Sequence, residues 1–292
     1  MALFCELETR ALLSLSGEDV IPFLQGVVTN DVEPLMDGRS VFAALLTPQG
    51  KYLHDFILVR SGELILLDTR KERIDDLKRR LSMYRLRAKI DIRDVTEDMA
   101  VFALLGDDAF EAASLDGDAG LACERNDGVV TIDPRLRALG LRAILPRALG
   151  AALLTDIGFT PASSKEYDAH RIAEGVAETL QAEAIYPLEA GFDELNGVSF
   201  TKGCYVGQEV TARMKTRKLV RKRILPMTFD QGSPCGSVTL QGAAVGEMIE
   251  STEGAGLALV RLEDADRILA ADDALSCGES RLLATRPDWM NF

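Results

Sequence analysis

The sequence predicts an α+β body followed by an all-β C-terminal module, on three observations. Strand-like alternation and helix-like spacing are intermixed through the first two thirds of the chain. Beyond Pro226 the texture changes to short Val, Leu and Ile runs between Gly232, Gly236, Gly242, Gly246, Gly254 and Gly256, the pattern of a small β-barrel. The length, 292 residues, suggests about two domains at roughly 150 residues each. The expected division is a body over 1–225, made of two subdomains, and a barrel over 226–292.

The elements follow in order. Residues 11–16 alternate as a short strand ending at Gly17, and Ser16 is a candidate cap for the next helix, with Glu18 and Asp19 in its first turn. Val20, Phe23, Leu24 and Val27 then keep helical spacing. Strands over 40–47 and 52–59 are joined by Pro48-Gln49-Gly50, a hairpin signal. A third strand spans 64–67, after which Asp68 and Thr69 are candidate caps for a helix carrying Ile74, Leu77 and Leu81. Residues 89–93 alternate again. Residues 101–105 read as a strand, 108–115 as a helix and 116–128 as a surface loop. Ser163, Ser164 and Glu166 open a helix that runs through Ala173.

Composition excludes several function classes. At 47% apolar and 27% charged, the chain is neither disordered nor collagen-like. Its net charge of −13 argues against a general nucleic-acid coat, because duplex affinity is mostly phosphate neutralisation. Five scattered cysteines without a CxxC pair make neither a disulfide framework nor a cluster ladder. Only two histidines are present, so a His-rich metal site is not expected. The N-terminal residues carry acid where a signal peptide carries base, and residues 136–154 are too interrupted by Arg and Pro to span a membrane. The expected compartment is a reducing cytoplasm.

One segment stands apart, residues 196–213. Gly203 and Gly207 flank Cys204-Tyr205-Val206, Lys202 precedes the thiol by two residues, and Arg213 follows it by nine. From 202 to 223 there are eight Lys or Arg and one acid, Glu209, in a chain that is acidic overall. An electropositive setting favours thiolate, the reactive form. Cys204 is then either a reactive or transiently metal-binding thiol, or a small buried hydrophobe. The four other cysteines lack such neighbours in the sequence. The basic run 213–223 is either a solvated edge or a patch for a polyanion such as a polyglutamate tail, a phosphate or tRNA.

Lys202-Gly203-Cys204-Tyr205-Val206-Gly207-Gln208-Glu209 resembles the signature of the YgfZ family, folate-binding proteins of iron–sulfur cluster assembly in the superfamily of the glycine-cleavage aminomethyltransferase, the T-protein. Phe23-Leu24-Gln25-Gly26 with Thr29-Asn30-Asp31, Leu46-Thr47-Pro48-Gln49-Gly50-Lys51 with Asp55, Tyr84-Arg85-Leu86-Arg87-Ala88-Lys89, and Pro187-Leu188-Glu189-Ala190 are similar to its other boxes. The resemblance implies a ring-like folate-binding body closed by a C-terminal β-barrel. It implies tetrahydrofolate or another reduced folate as cofactor and iron–sulfur enzymes or cluster-assembly proteins as partners, with indirect effects on tRNA modification and no membrane role. Cys204 becomes the central thiol, tuned by Lys202 and Arg213.

By the same resemblance Tyr167 faces the pterin, the other reading being a helix residue packed on the barrel, and Arg10 either pairs with the glutamate tail or is an exposed strand arginine. Asp55 and Arg171 complete the candidate folate contacts. Two departures bear on chemistry. The T-protein's paired aspartates after the hairpin glycine are here His54-Asp55, so only one acid remains for proton handling. The glutamate of its Arg-x-Glu-x-Gly pattern is displaced to Glu174, which turns it by about 100° on a helix. An assembly factor leads, a folate-dependent one-carbon transferase is the alternative, and a tRNA-binding accessory protein is the third reading.

Overall fold

A computed structural model describes residues 1–125, 127–271 and 275–292. The chain folds as two compact units. The first joins residues 1–164 to 195–208, and the second joins 165–194 to 209–292.

The first unit is built on two sheets. A five-stranded antiparallel sheet has the order Val41–Leu46, Tyr52–Ser61, Leu64–Arg70, Arg10–Ser16, Asp91–Asp94. Helices Val20–Val27 and Ile74–Arg85 share a core with it. Val20, Phe23, Leu24 and Val27 from one helix, and Ile74, Leu77 and Leu81 from the other, are buried as their spacing requires. The second sheet has six strands, in the order Thr160–Pro161, Leu3–Glu6, Met99–Leu105, Leu141–Pro146, Gly128–Ile132, Ala122–Arg125. Its core takes in Phe102, Leu104, Ile132, Leu141 and Leu154.

Several expectations are corrected here. Ser16 ends its strand, and Asp19 occupies the position before the helix, where its carboxylate accepts from the Lys89 backbone N–H at 2.7 Å. Asp68 and Thr69 cap nothing, because the strand Leu64–Arg70 is paired on both sides and continues past the predicted end. Tertiary pairing overrides the local capping signal there. The helix expected over 108–115 is one turn, Ala109–Ala112. The segment 116–128 is not simply a loop: Ala122–Arg125 pairs with Gly128–Ile132. Residue 126 of that segment lies outside the described residues.

The Asp68 position has a reason to be buried. Arg10 Nε donates to its carboxylate at 2.6 Å, and Arg142 Nη1, from the six-stranded sheet, donates at 2.8 Å. Arg142 also lies 3.5 Å from Asp133, which Arg135 grips through Nε at 2.9 Å and Nη2 at 2.7 Å. All five side chains are buried. Burial alone would raise the Asp133 carboxyl, but Arg135 and Arg142 outweigh it and hold the group below its ordinary value. A chain of alternating charge therefore links the two sheets of this unit.

The second unit contains a closed barrel of six strands among the described residues. Its order is Lys222–Phe229, Ala255–Arg261, Ala243–Ser251, Gly236–Leu240, Leu275–Cys277, Ser280–Ala284, returning to the first. Leu225, Met227, Val238, Val260 and Leu282 fill it. Residues 272–274, within the predicted barrel segment, lie outside the described residues. The helix Ser164–Ala173 joins the barrel through Arg171, whose guanidinium meets Glu250 on the strand Ala243–Ser251.

Candidate functional site

Three sequence boxes far apart in the chain converge in the first unit. Thr29 is the hub. Its Oγ1 donates to the Gly197 carbonyl at 2.6 Å and accepts from the Ala44 N–H at 2.8 Å, while its own carbonyl accepts from the Ser199 N–H at 3.1 Å. Asn30 Nδ2 donates to the Asn196 carbonyl at 2.6 Å. The backbone of Asn196 is left-handed (φ 54°), a region that Asn tolerates better than most residues. Ser199 Oγ then accepts from the Lys202 N–H at 3.2 Å, which turns the chain toward Cys204.

Lys202 reaches back rather than outward. Its ammonium donates to the carbonyls of Val28 at 3.0 Å and Asn30 at 2.6 Å, and lies 5.4 Å from the centre of the Tyr205 ring. Burial pushes this amine down to about 8. Tyr205 is buried and Cys204, beside it, is exposed. The loop is therefore anchored by its neighbours while it presents the thiol. Lys202, expected to tune the sulfur, is placed to hold the loop against the turn at 28–30.

The two signature glycines differ. Gly207 has φ +84°, and a Cβ there would lie 2.6 Å from the Thr47 carbonyl oxygen and 3.1 Å from Gly50 Cα, so only glycine lets the loop close on the hairpin turn. Gly203 has open space around it. Gly207→Ala should cost about 1–3 kcal/mol, the usual range for forced backbone strain, whereas Gly203→Ala should be close to neutral. Urea denaturation of the two variants checks this, and equal effects would contradict it.

The hairpin carries the His54-Asp55 pair. Leu45 pairs with His54 and Leu46 with Tyr52, which leaves Leu53 as an extra residue, a β-bulge. The bulge puts Tyr52 and Asp55 on one face, where the Tyr52 hydroxyl donates to the Asp55 carboxylate at 2.5 Å. Burial, and then the Asp55 charge, keep the Tyr52 hydroxyl protonated well above its ordinary range. His54 faces the opposite way and meets Asp76 on the helix Ile74–Arg85 at 2.8 Å. These adjacent side chains cannot act together on one substrate atom.

Burial lowers the His54 imidazole from 6.5 to about 4, against the pull of Asp76, so it is neutral at physiological pH. Above 6.5 the folded and unfolded chains are both neutral here. Between 6.5 and about 4 only the unfolded chain binds the proton, so stability falls as pH falls and levels off below about 4. The loss expected is about 3 kcal/mol. His54→Gln should flatten that part of the pH profile of the denaturation midpoint, and an unchanged profile would refute the assignment.

The candidate folate residues are placed as follows. Arg10 is buried on Asp68, not an exposed strand arginine as one sequence reading had it. Asp55 accepts from Tyr52. Tyr167 is buried in the second unit, its hydroxyl donating to Glu178 at 2.6 Å. Arg171 donates to the Val176 carbonyl at 2.7 Å and to Asp168 at 2.9 Å, besides Glu250. Burial would lower its guanidinium, but Glu178 and Glu250 hold it firmly charged. Each of the four has protein partners, and among the described residues the buried Arg171 Nε makes no hydrogen bond, which leaves a donor for a polar ligand. Glu174 carries a carbonyl that accepts from the Trp289 indole at 2.8 Å.

Arg213 is exposed on the helix Gln208–Thr216 and falls in the second unit, whereas Cys204 is in the first. The basic run is partly neutralised: Lys215 meets Asp193 at 2.7 Å, and buried Arg223 pairs with Glu194 and, at 3.6 Å, Asp193. Sequence reasoning missed one thiol neighbour. Arg125 Nη1 lies 2.7 Å from Cys123 Sγ, contrary to the expectation that the other cysteines lack basic neighbours. The two residues are i and i+2 on the strand Ala122–Arg125 and so share a face. Among the described residues, no group of three or more His, Cys, Asp or Glu is arranged to hold a metal ion.

Residues 2–115 match the GCVT N-terminal domain, and residues 221–292 match the CAF17 C-terminal beta-barrel domain. The chain is 33% identical to the iron-sulfur cluster assembly factor IBA57, mitochondrial, of Homo sapiens, across 97% of this chain and 84% of that protein. The chain belongs to the IBA57 family. The IBA57 homolog of Pyricularia oryzae is 32% identical, with 89% of this chain and 72% of that one covered. Against the IBA57 homolog of Neurospora crassa, also 32% identical, the chain spans about half of the relative's length, 52%. Glycine cleavage system aminomethyltransferase T from Bartonella henselae has the same fold, with a TM-score of 0.76, 17% identity, and 99% of this chain and 86% of that one covered.

Two expectations change with IBA57 membership. The aminomethyltransferase-like superfamily and the barrel hold, but the relatives carry the IBA57 name rather than that of the YgfZ branch. The cytoplasmic placement is overturned, because the IBA57 relatives are named as mitochondrial proteins. Unpaired cysteines mark a reducing compartment without choosing among such compartments.

Proposed function

We propose that the chain serves iron–sulfur cluster assembly or repair by offering Cys204 as one exposed thiolate ligand to a cluster in transit. The observation that carries this reading is the anchored loop of an IBA57-family chain, pinned through Thr29, Asn30, Lys202 and Gly207 so that an exposed thiol projects from fixed backbone. A [2Fe–2S] or [4Fe–4S] cluster takes four protein ligands as a rule. No group of three or more candidate ligands gathers among the described residues, so the remaining ligands come from a partner, a cluster-assembly protein or a client enzyme. The cluster is cargo in this reading.

Folate binding is supported by the aminomethyltransferase-like fold alone. Calorimetry with tetrahydrofolate should show binding to the full chain, and no heat at millimolar ligand would remove folate from the reading. A one-carbon transferase is the weaker alternative, because His54 and Asp55 face opposite ways. A strain lacking this protein should lose iron–sulfur enzyme activities and keep glycine cleavage. The reverse pattern would support the transferase.

A further inference from the structure

The barrel carries two thiols that the proposed function does not use. Cys277 ends the strand Leu275–Cys277 and is buried, whereas Cys235 is exposed and immediately precedes the strand Gly236–Leu240. The Cys277 sulfur donates to the Cys235 carbonyl oxygen at 3.3 Å. By standard backbone dimensions a Cα lies about 2.4 Å from its own carbonyl oxygen, so Cys235 Cα is at most about 5.7 Å from the Cys277 sulfur. Burial raises the Cys277 thiol, and the charge of Cys235 adds to the rise. Gly236, next in the chain, has φ +92° and open space around it, which leaves Cys235 room to turn.

The place of this pair in the barrel matters. The first strand pairs with Ala255–Arg261 along a long register, from Lys222–Arg261 to Thr228–Ala255. Among the described residues, the seam between Gly236–Leu240 and Leu275–Cys277 is held at Thr239–Ser276 and Leu240–Leu275. Cys235 and Cys277 sit beside the end of that short seam.

We propose that Cys235 and Cys277 form an oxidation-dependent disulfide that staples the short seam of the barrel, with hydrogen peroxide as the oxidant. The exposed Cys235 thiolate attacks one peroxide oxygen, the O–O bond breaks, hydroxide leaves, and Cys235 becomes a sulfenic acid. The Cys277 sulfur then attacks the sulfenic sulfur, an S–S bond forms, and the S–O bond breaks with loss of water. The Cys277 proton goes to the departing oxygen. Two thiols give up two electrons, and one peroxide becomes two waters. The exposed member is the one oxidant reaches, and the buried member resolves it before further oxidation.

The test uses the full chain, reduced and then treated with equimolar peroxide before alkylation and trypsin digestion. Arg261 and Arg267 lie between the two cysteines, so they leave trypsin in separate peptides. The expected product is the linked pair, 2 Da lighter than the sum of its reduced peptides, abolished by dithiothreitol. The melting temperature should rise by several degrees on oxidation in the wild type and not in Cys235→Ser or Cys277→Ser. Cys204→Ser should keep the link. Cys235 recovered as sulfinic acid with Cys277 reduced, both thiols recovered unmodified, or Cys235 linked to a different cysteine would each overturn the proposal.

Discussion

Asp68→Ala should destabilise the protein by about 3–5 kcal/mol, the cost of leaving buried charge uncompensated. Asp68 accepts from Arg10 at 2.6 Å and from Arg142 at 2.8 Å, and all three side chains are buried. Removing the carboxylate leaves two guanidiniums without their shared counter-charge in a dry interior. The Coulombic penalty there exceeds the packing loss of so small a side chain. Asp91→Ala, which removes a solvent-exposed partner of Arg93, should change stability by less than about 0.5 kcal/mol. Replacing Asp68, Arg10 and Arg142 together by apolar residues of similar volume should recover much of the loss. Urea midpoints of the three variants decide the matter, and a loss under about 1 kcal/mol for Asp68→Ala would show that the network is dispensable.

Cys204→Ser should abolish restoration of iron–sulfur enzyme activity in a strain lacking the protein, while leaving the circular dichroism spectrum and the urea midpoint unchanged. The side chain is exposed, and the hydrogen bonds that hold the loop come from Thr29, Asn30 and Lys202 rather than from the thiol. Serine therefore costs little packing, but its alkoxide is not available at neutral pH as a soft metal ligand. Full complementation by the serine variant would end the thiol reading. Lys202→Met should weaken activity in part and loosen the loop, seen as faster amide exchange at 199–207, because it removes an anchor and not the reacting group. In the folded protein Cys204 should alkylate fastest, with Cys123, under Arg125, as its competitor.

Local pattern made much of the body legible. The helices at 20–27 and 74–85 and the hairpin at 41–61 were written in periodicities of 3.6 and 2 with a Pro-Gln-Gly turn between strands. The barrel was legible from glycine spacing. The misses share a cause. Asp68 carries a capping residue's signal but stands where two neighbouring strands continue, and its partner Arg142 is 74 residues away. Nothing local announces such a pairing. Cys123 was passed over because residues 116–128 read as loop, and only a strand puts Arg125 on the same side as the thiol. The reverse held at Lys202: proximity in sequence suggested the sulfur, but the ammonium found better acceptors in the carbonyls of Val28 and Asn30.

The anchors of the Cys204 loop at Thr29, Asn30, Thr47 and Gly50 come from the first fifty residues of the chain, and the loop itself is made more than 140 residues later. On a ribosome, the slot formed by Thr29, Asn30, Thr47 and Gly50 can be complete long before its occupant is translated. A chain of this kind holds an empty socket through much of its synthesis, and loop closure over such a separation is entropically costly until the flanking segments have folded. Any nascent or truncated form ending before residue 196 would possess the body's sheets yet carry neither the thiol nor the plug of its own socket. Cys204 is thus added only after about two thirds of the polypeptide has been made, and before any strand of the barrel.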